Sequence, residues 1–404
     1  MSNVLSKVKT SLGLIGAWVL FLFSHLVPRS KKRWIFLGWH RLGNQEFFAD
    51  NTKYLFLYAS EKAQEFCIEP VWLSPDDALV AELRKRGYRA HNQSSLIGIY
   101  HALRAGYTII DSHMPLRSWK YSGRSKVIQL WHGVPTKLIG HQTPKHVPPS
   151  LLLSPGWHIR PRITISTSDW YSRMMAEAFR LNPATLHIAG YPRNDVLFER
   201  IENSDIGTTA LPSSHASHAG RRFLYAPSFR PDGSNPLDRL DLPRMFDFLN
   251  KNDAILFLSL HPKLARHRPT GEERFSKRMF FIDGGYDLYP HLKKFDACIT
   301  DYSSTATDFL LLDRPVVYYQ YDRTEYERGT GLQKCERELA PGPHVEEFDE
   351  LLTALTDVVQ GTDRFAEARK RARTLAFAHR DARSAERVFN LLLDDTRSIK
   401  TPPQ

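Results

Sequence analysis

Short apolar runs alternate along the chain with longer stretches in which apolar residues recur at helical spacing. The runs lie at 34–38, 70–74, 108–112, 127–131, 163–166 and 186–190, and again at 223–228, 254–262, 297–304 and 315–319. Continuous apolar strands separated by helices are typical of parallel sheets covered on both faces. The pattern therefore predicts an α/β protein with two Rossmann-like halves.

The alternation stops over 203–222, a stretch rich in Ser, Thr, Ala and His that is typical of a linker or loop. Beyond the second half, the spacing over 365–393 predicts an amphipathic helix. We therefore predict an N-terminal helix at 1–30, a first domain at 31–205, a linker at 206–222, a second domain at 223–395, and a disordered tail at 396–404.

The N-terminal segment is strongly apolar from Leu12 to Val27 and is followed by a basic cluster that begins at Arg29. A spanning helix needs about 20 apolar residues, so this shorter run favours a membrane-associating helix that lies in the interface or inserts shallowly. The basic cluster would place the rest of the chain on the cytoplasmic side. A buried first helix is the alternative, and no cleavage site typical of a signal peptide follows.

Composition narrows the classes of partner. The formal charge of +11 favours anionic partners, and three widely separated cysteines give no disulfide or zinc spacing. Because the chain has no P-loop, GxGxxG, helix-turn-helix or RNP-like motif, an NTPase, a dinucleotide oxidoreductase and a nucleic-acid binder are all disfavoured. We predict no metal and no cofactor, and we assign the positive charge to the membrane surface and to phosphates.

Two histidines follow apolar strands directly. "VIQLWHGVPTK" places His132 at a strand end, where Gly133 and Pro135 prevent the strand from continuing, and "FLSLHPK" does the same for His261. Ligands of open α/β sheets bind at the carboxyl ends of strands. We predict that the two histidines face each other across an interdomain cleft, where one can accept a proton and the other can stabilise phosphoryl charge.

"ACITDYSSTATDF" places small hydroxyl residues between a buried strand and an apolar helix. Free backbone N–H groups at the helix start, together with Ser303 and Ser304, would cradle a phosphate. The local alternative is a capping box from Thr305 to Asp308, in which Asp308 only completes the helix start.

Two arginines also follow apolar strands, Arg193 in "AGYPRND" and Arg230 in "YAPSFRPDG". The guanidinium fork matches phosphate oxygens in a bidentate manner. The alternative is a surface arginine in a proline-containing turn. Asn194 and Asp195 have a local alternative of their own, as caps of a helix running to Ile201.

Taken in order, the motifs "FFADNTKYLFLY", "QLWHGVPTK", "GYPRND", "YAPSFR", "LHPK", "ITDYSSTATDF", "RPVVYYQYD" and "APGP" resemble the CDP-glycerol glycerophosphotransferase family, which contains teichoic acid primases and polymerases. Ser228 stands where the family often has threonine, and Phe229 where tryptophan is common. The resemblance implies a GT-B-like fold of two Rossmann-type domains facing across a cleft, with an acceptor domain first and a CDP-donor domain second.

The resemblance also implies roles for individual residues. His132 would be the base and His261 would hold or neutralise the donor phosphates. Arg230 and the Ser303–Ser304 turn would contact the pyrophosphate, and Asp308 would lie near the donor. The residues predicted to bind substrate are Gly133, Lys137, Arg193, Asn194, Arg230, Thr300, Asp301, Ser303, Ser304 and Asp308.

The expected reaction is transfer of glycerol phosphate from CDP-glycerol, or a related CDP-alcohol, to a hydroxyl of a membrane-linked glycan or polymer. CMP would be released, and the product would be a teichoic-acid-like or capsular polymer. One alternative keeps the fold but uses a nucleotide sugar, as a GT-B glycosyltransferase of capsule or lipopolysaccharide synthesis does. A second alternative is a non-catalytic, membrane-associated binding protein.

Overall fold

Continuous apolar runs bounded by turn residues form the strands of the first domain, because both faces of these strands are covered. Their bounds are β1 Ser30–Phe36, β2 Trp39–His40, β3 Glu46–Phe47, β4 Glu69–Ser74, β5 Ala90–Asn92, β6 Ala105–Ile110, β7 Lys126–Gln129, β8 Ile163–Ser166 and β9 Leu186–Ile188. The computed structural model describes residues 14–40, 46–112, 119–143, 159–208, 211, 220–228, 230, 233–260, 277–282 and 287–397.

The first sheet has the parallel order β5-β4-β1-β6-β7-β8-β9, and β2 and β3 pair separately as an antiparallel hairpin. Strand order reverses direction between β1 and β6, which is the switch point where open α/β sheets bind ligands. The helices are α1 at 14–24, α2 Asp50–Glu61, α3 Asp77–Lys85, α4 Leu96–Arg104 and α5 Asp169–Phe179. Asp76 caps α3, because its carboxylate accepts from the backbone N–H groups of Ala78 and Leu79.

The second domain repeats the plan with six parallel strands in the order β12-β11-β10-β13-β14-β15. Their bounds are β10 Arg222–Tyr225, β11 Ile255–Ser259, β12 Met279–Ile282, β13 Ala297–Thr300, β14 Val316–Tyr319 and β15 His344–Val345. The helices are α6 Leu242–Lys251, α7 Tyr289–Leu292, α8 Ser304–Phe309, α9 Arg323–Gly329, α10 Glu336–Leu339, α11 Phe348–Val359, α12 Ala366–Ala376 and α13 Ser384–Arg397. Its switch point lies between β10 and β13.

The last helix, α13, leaves the second domain and packs on the first. Asp195 accepts hydrogen bonds from the backbone N–H groups of Ser384 and Ala385, at 2.9 and 2.8 Å, and so caps α13. The Phe389 ring contacts Trp34 of β1. The prediction of one amphipathic helix over 365–393 is therefore wrong, because α12 and α13 are separate helices that pack on different parts of the fold.

One apolar core continues from one sheet to the other, since the same cluster of buried side chains contains Trp34 and Ile128 of the first sheet and Leu224 and Cys298 of the second. The α/β architecture with two parallel sheets is confirmed. The predicted boundaries at 205 and 222 stay a prediction, because much of that stretch lies outside the described residues.

Helix α1 lies against the first domain through Trp18 and Phe21. Their ring centroids lie 6.1 and 5.6 Å from the ring centroid of Trp119. Its other face is open, and Ile15, Val19 and Leu22 are 60 to 61% exposed. None of the helices among the described residues combines the length and the hydropathy needed to cross a bilayer.

Candidate active site

The turn after β7 delivers His132 to the carboxyl edge of the first sheet. Trp131 has a φ of +59° and Gly133 a φ of +139°, so the residues on either side of the histidine depart from strand geometry. Such values are strained for a bulky side chain and are tolerated by glycine. The Trp131 and His132 rings stack with their centroids 4.2 Å apart.

The ring of His132 donates a hydrogen bond from Nδ1 to the backbone carbonyl oxygen of Asp111, over 2.8 Å. A carbonyl oxygen only accepts, so Nδ1 must carry the hydrogen. In the neutral ring the lone pair then lies on Nε2. The geometry thus makes Nε2 of His132 the nitrogen that can accept a proton.

The same turn contacts the second domain at the start of α8. A Cβ added at Gly133 would lie 2.7 Å from Ser304 Oγ and 2.9 Å from an Arg193 guanidinium nitrogen, so only glycine fits. Thr307 Oγ1 donates to the Val134 carbonyl oxygen at 3.2 Å. The structure therefore brings the His132 turn and the Ser303–Ser304 turn together.

Two buried carboxyl groups lie at the same edge of the first sheet. Burial raises the pKa of Glu46 to about 8, although the Gly38 N–H and the Trp72 indole N–H both donate to its Oε1. Burial and the nearby charge of Asp50 raise the pKa of Asp111 well above its usual range. Among the described residues, Glu46 Oε2 and Asp111 Oδ1 have no hydrogen-bond partner.

Arg193 and Asp308 join the two domains through a buried ion pair. Arg193 pairs with Asp308 of α8 through one guanidinium nitrogen and donates to Asp50 of α2 through the other, at 2.8 Å. Asn194 Nδ2 donates to Asp308 Oδ1 at 3.1 Å, and the Tyr289 hydroxyl donates to Oδ2 at 2.6 Å. The predicted contacts of these residues with substrate stay a prediction.

Two local capping interpretations are wrong. Helix α8 begins after Ser303, whose hydroxyl accepts from Thr305 N–H at 3.3 Å, and the Asp308 carboxyl bonds the other domain instead of the helix start. Residues 192–197 form a short 3-10 turn without a side-chain cap, and Asp195 caps the distant α13.

A second ion-pair cluster lies at the carboxyl edge of the second sheet. Arg230 donates from one terminal nitrogen to Asp301 at 2.7 Å, and its Nε and other terminal nitrogen bond the Asp322 carboxylate. Arg230 is only 3% exposed. Burial lowers its pKa, but the charges of Asp301 and Asp322 outweigh this and raise it. Phosphate binding by Arg230 stays a prediction that requires part of this cluster to open.

The remaining predicted residues are Thr300, Lys137 and His261. Thr300 is fully buried, and its hydroxyl donates to the Ala226 carbonyl oxygen at 2.6 Å. Lys137 forms a β-bridge with Leu332, so its backbone joins the domains. His261 lies outside the described residues, and its pairing with His132 stays a prediction.

The described residues contain no group of three or more His, Cys, Asp or Glu side chains arranged to hold a metal ion.

Sequence reasoning missed the residues that support His132, namely Asp111 and its partners in α2. A signal existed for Asp111, because "TIIDS" ends an apolar strand with an acid, as "VIQLWH" ends the next strand with a histidine. Parallel strands bring both ends to one edge. For Glu46 no comparable signal existed, since it follows no recognisable strand.

Comparisons with known proteins identify the family of the chain. The model of the family described as CDP-Glycerol:Poly(glycerophosphate) glycerophosphotransferase matches residues 20–394. A teichoic acid glycerol-phosphate transferase of Staphylococcus aureus is 26% identical over 349 residues, which cover 80% of this chain and 84% of that protein. A teichoic acid poly(glycerol phosphate) polymerase of Bacillus subtilis is 26% identical over 84% of this chain, and the match covers 45% of that protein.

The fold is also that of a solved structure. The wall teichoic acid polymerase TagF, in a form soaked with CDPG, superposes with a TM-score of 0.74 at 20% identity over 98% of this chain and 99% of that chain. The chain spans about half the length of several curated relatives it matches. At this identity the superposition establishes a shared two-sheet fold.

Proposed function

Because the chain belongs to the CDP-glycerol:poly(glycerophosphate) glycerophosphotransferase family, we propose that it transfers glycerol phosphate from CDP-glycerol to a hydroxyl group and releases CMP. The observation that carries this proposal is the contact between the His132–Gly133 turn of one domain and Ser304 of the other. The turn that carries His132 thus lies against a serine at the start of a helix, and a general base near hydroxyl donors supports hydroxyl attack on a pyrophosphate.

In the proposed reaction, Nε2 of His132 takes the proton of the acceptor hydroxyl. The hydroxyl oxygen forms a bond to the glycerol-linked phosphorus, and the bond from that phosphorus to the bridging oxygen breaks. Its electron pair leaves with CMP. Catalysis of this kind depends mainly on positioning and on charge stabilisation, and we assign these roles to Ser303, Ser304, Arg230 and His261.

The proposal is tested by incubating the full chain with CDP-glycerol, CDP-ribitol and a set of nucleotide sugars, and identifying the nucleotide product by chromatography. CMP from a CDP-alcohol is the expected product. A nucleoside diphosphate from a nucleotide sugar would instead support a glycosyltransferase. Calorimetric binding of CDP-glycerol without any product would support the non-catalytic binding protein.

We further propose that the chain works at the cytoplasmic face of a membrane, on an acceptor linked to a lipid in teichoic-acid-like or capsular polymer synthesis. An exposed apolar surface supports this proposal. Leu26, just after the end of α1, is 78% exposed, in addition to the exposed apolar residues of the helix itself. The Arg29 guanidinium donates to the Ser24 carbonyl oxygen at the end of α1, at 2.9 Å, and burial and the charges of Arg124 and Arg104 lower its pKa to about 10. An apolar face bordered by several cations fits the surface of an anionic bilayer.

Cosedimentation with vesicles tests the membrane proposal. The chain should bind vesicles that contain anionic phospholipid more strongly than neutral ones, and Leu22→Glu should weaken both. Phe198→Glu is the matched control, because it places the same charge on an exposed apolar residue far along the chain. Equal binding of the three proteins would contradict the proposal.

A further inference from the structure

The backbone before His132 is held in a conformation that its own residues do not favour. Trp131 is 6% exposed and has the left-handed φ of +59°, which a bulky side chain rarely adopts. Such a conformation persists only when surrounding contacts impose it, and it is concentrated at functional sites. The contacts that impose it here can be named.

The side chains of Asn51 and Gln129 form hydrogen bonds with the backbone carbonyl oxygen and the backbone N–H of Trp131. Asn51 Nδ2 donates to the Trp131 carbonyl oxygen at 2.7 Å, and Trp131 N–H donates to Gln129 Oε1 at 2.9 Å. Gln129 Nε2 donates in turn to the carbonyl oxygen of Ser112 at 2.8 Å. The turn that carries His132 is thereby tied to α2 on one side and to the end of β6 on the other.

Thr52 holds the residue that bonds the histidine ring. Its hydroxyl donates to Asp111 Oδ2 at 2.6 Å, and its backbone N–H donates to the same oxygen at 3.2 Å. The backbone carbonyl oxygen of Asp111 accepts from His132 Nδ1. Thr52 and Asp111 are both fully buried, so these bonds have no competition from solvent.

We propose that Asn51, Thr52 and Gln129 are positioning residues that fix the ring of His132 with Nδ1 protonated and Nε2 ready to accept the proton of the acceptor hydroxyl. This inference rests on the proposed function only for the identity of that hydroxyl. The three side chains act through the Trp131 backbone and through Asp111, and none of them has to touch substrate. Their absence would leave His132 in place but less well oriented.

Thr52→Val is the most informative variant, because it removes one hydroxyl and preserves side-chain shape. The chain offers a matched control in Thr164→Val. Thr164 is fully buried on β8 and pairs with Gln129 in the sheet, yet its hydroxyl has no hydrogen-bond partner among the described residues. Thr52→Ser restores the hydroxyl and serves as the rescue variant.

The measurements are kcat, KM for CDP-glycerol and the pH dependence of kcat/KM, with the pKa of His132 followed by ¹⁵N NMR titration. The NMR signal is identified by its loss in His132→Ala. We expect Thr52→Val to lower kcat by about 10- to 100-fold with little change in KM, because a small misplacement of a reacting group costs about that much. The His132 pKa should fall, since the imidazolium loses part of its bond to the Asp111 carbonyl.

Thr164→Val and Thr52→Ser should match the wild type in all these quantities, with circular dichroism confirming that every variant is folded. A wild-type kcat and a wild-type His132 pKa in Thr52→Val would overturn the proposal. Equal losses in Thr164→Val would also overturn it, because a general loss of packing would then explain both. If the chain does not use CDP-glycerol at all, the NMR titration still decides whether Thr52 positions His132.

Discussion

The two sheets have the same kind of strand order, but the carboxyl edges differ in how the charges of their acidic side chains are neutralised. At the first edge, Glu46 and Asp111 have raised pKa values and an oxygen each that lacks a partner among the described residues. At the second edge, Asp301 and Asp322 share Arg230. Burial without a neighbouring cation favours the protonated form of a carboxyl, whereas at the second edge the Arg230 guanidinium supplies a cation. The first edge is therefore suited to proton transfer and the second to holding charge.

The largest effect expected from this difference is at His132. His132→Ala should lower kcat for CMP release by about 10²–10⁴-fold, the usual contribution of a general base, while KM for CDP-glycerol changes little. His141→Ala is the matched control, because His141 is exposed and lies nine residues further along the chain. Normal turnover in His132→Ala would show that the carboxyl edge of the first sheet does not supply the general base.

At the second edge the expected effect is on stability. Arg230→Met removes the cation shared by Asp301 and Asp322, and breaking a buried ion pair costs about 3–5 kcal/mol. Chemical denaturation followed by circular dichroism measures the loss. Arg244→Met is the control, since the Arg244–Asp349 pair is exposed and its removal should leave the midpoint unchanged. A wild-type midpoint for Arg230→Met would show that Asp301 and Asp322 do not need the Arg230 cation for the fold to be stable.

Glu46 should give the first edge a pH dependence of stability. Its pKa is raised to about 8 in the folded chain, so the stability it contributes is complete below the unfolded value near 4.5 and is lost as pH rises toward 8. The loss is about 1.4 kcal/mol per pH unit within that window. Glu46→Gln keeps an acceptor for Gly38 and Trp72, so it should flatten this decline in a series of melting curves from pH 5 to 8.

The exposed substitution Glu177→Gln provides the comparison for Glu46→Gln and should retain the wild-type pH dependence. If Glu46→Gln declined as steeply as the wild type, the proton held at the first edge would belong to another group. Asp111 would then be the next residue to replace, because burial and the charge of Asp50 raise its pKa as well.

Much of the fold could be predicted from the sequence, because continuous apolar strands between helices leave few arrangements for parallel sheets. Within the two parallel sheets, the sequence does not predict β5, β12 and β15, which have four residues or fewer. The contacts of α2 with the second domain could not be predicted. Lys53 looks like an ordinary charged residue of α2, but it is fully buried and donates to Asp287, 234 residues away, at 2.8 Å.

In the candidate site, too, some contacts could be predicted from the sequence and others could not. His132 and the Ser303–Ser304 turn could be brought together by reasoning, since each follows a strand at the carboxyl edge of its own sheet. The partners of Arg193 could not, because a guanidinium beside a strand end is equally suited to a phosphate and to a carboxylate. Only the three-dimensional structure places Asp50 and Asp308 around it.

The smallest expected effect concerns Ser303, and it separates two roles at the second edge. Ser303→Ala removes the cap of α8 and should cost about 1 kcal/mol of stability, which Ser303→Thr should restore. If Ser303 only caps the helix, KM for CDP-glycerol measured well below the melting temperature will match the wild type. If the hydroxyl also holds a donor phosphate, KM will rise in Ser303→Ala and recover in Ser303→Thr. We expect the rise, because Ser303 precedes the serine whose hydroxyl lies against the His132 turn.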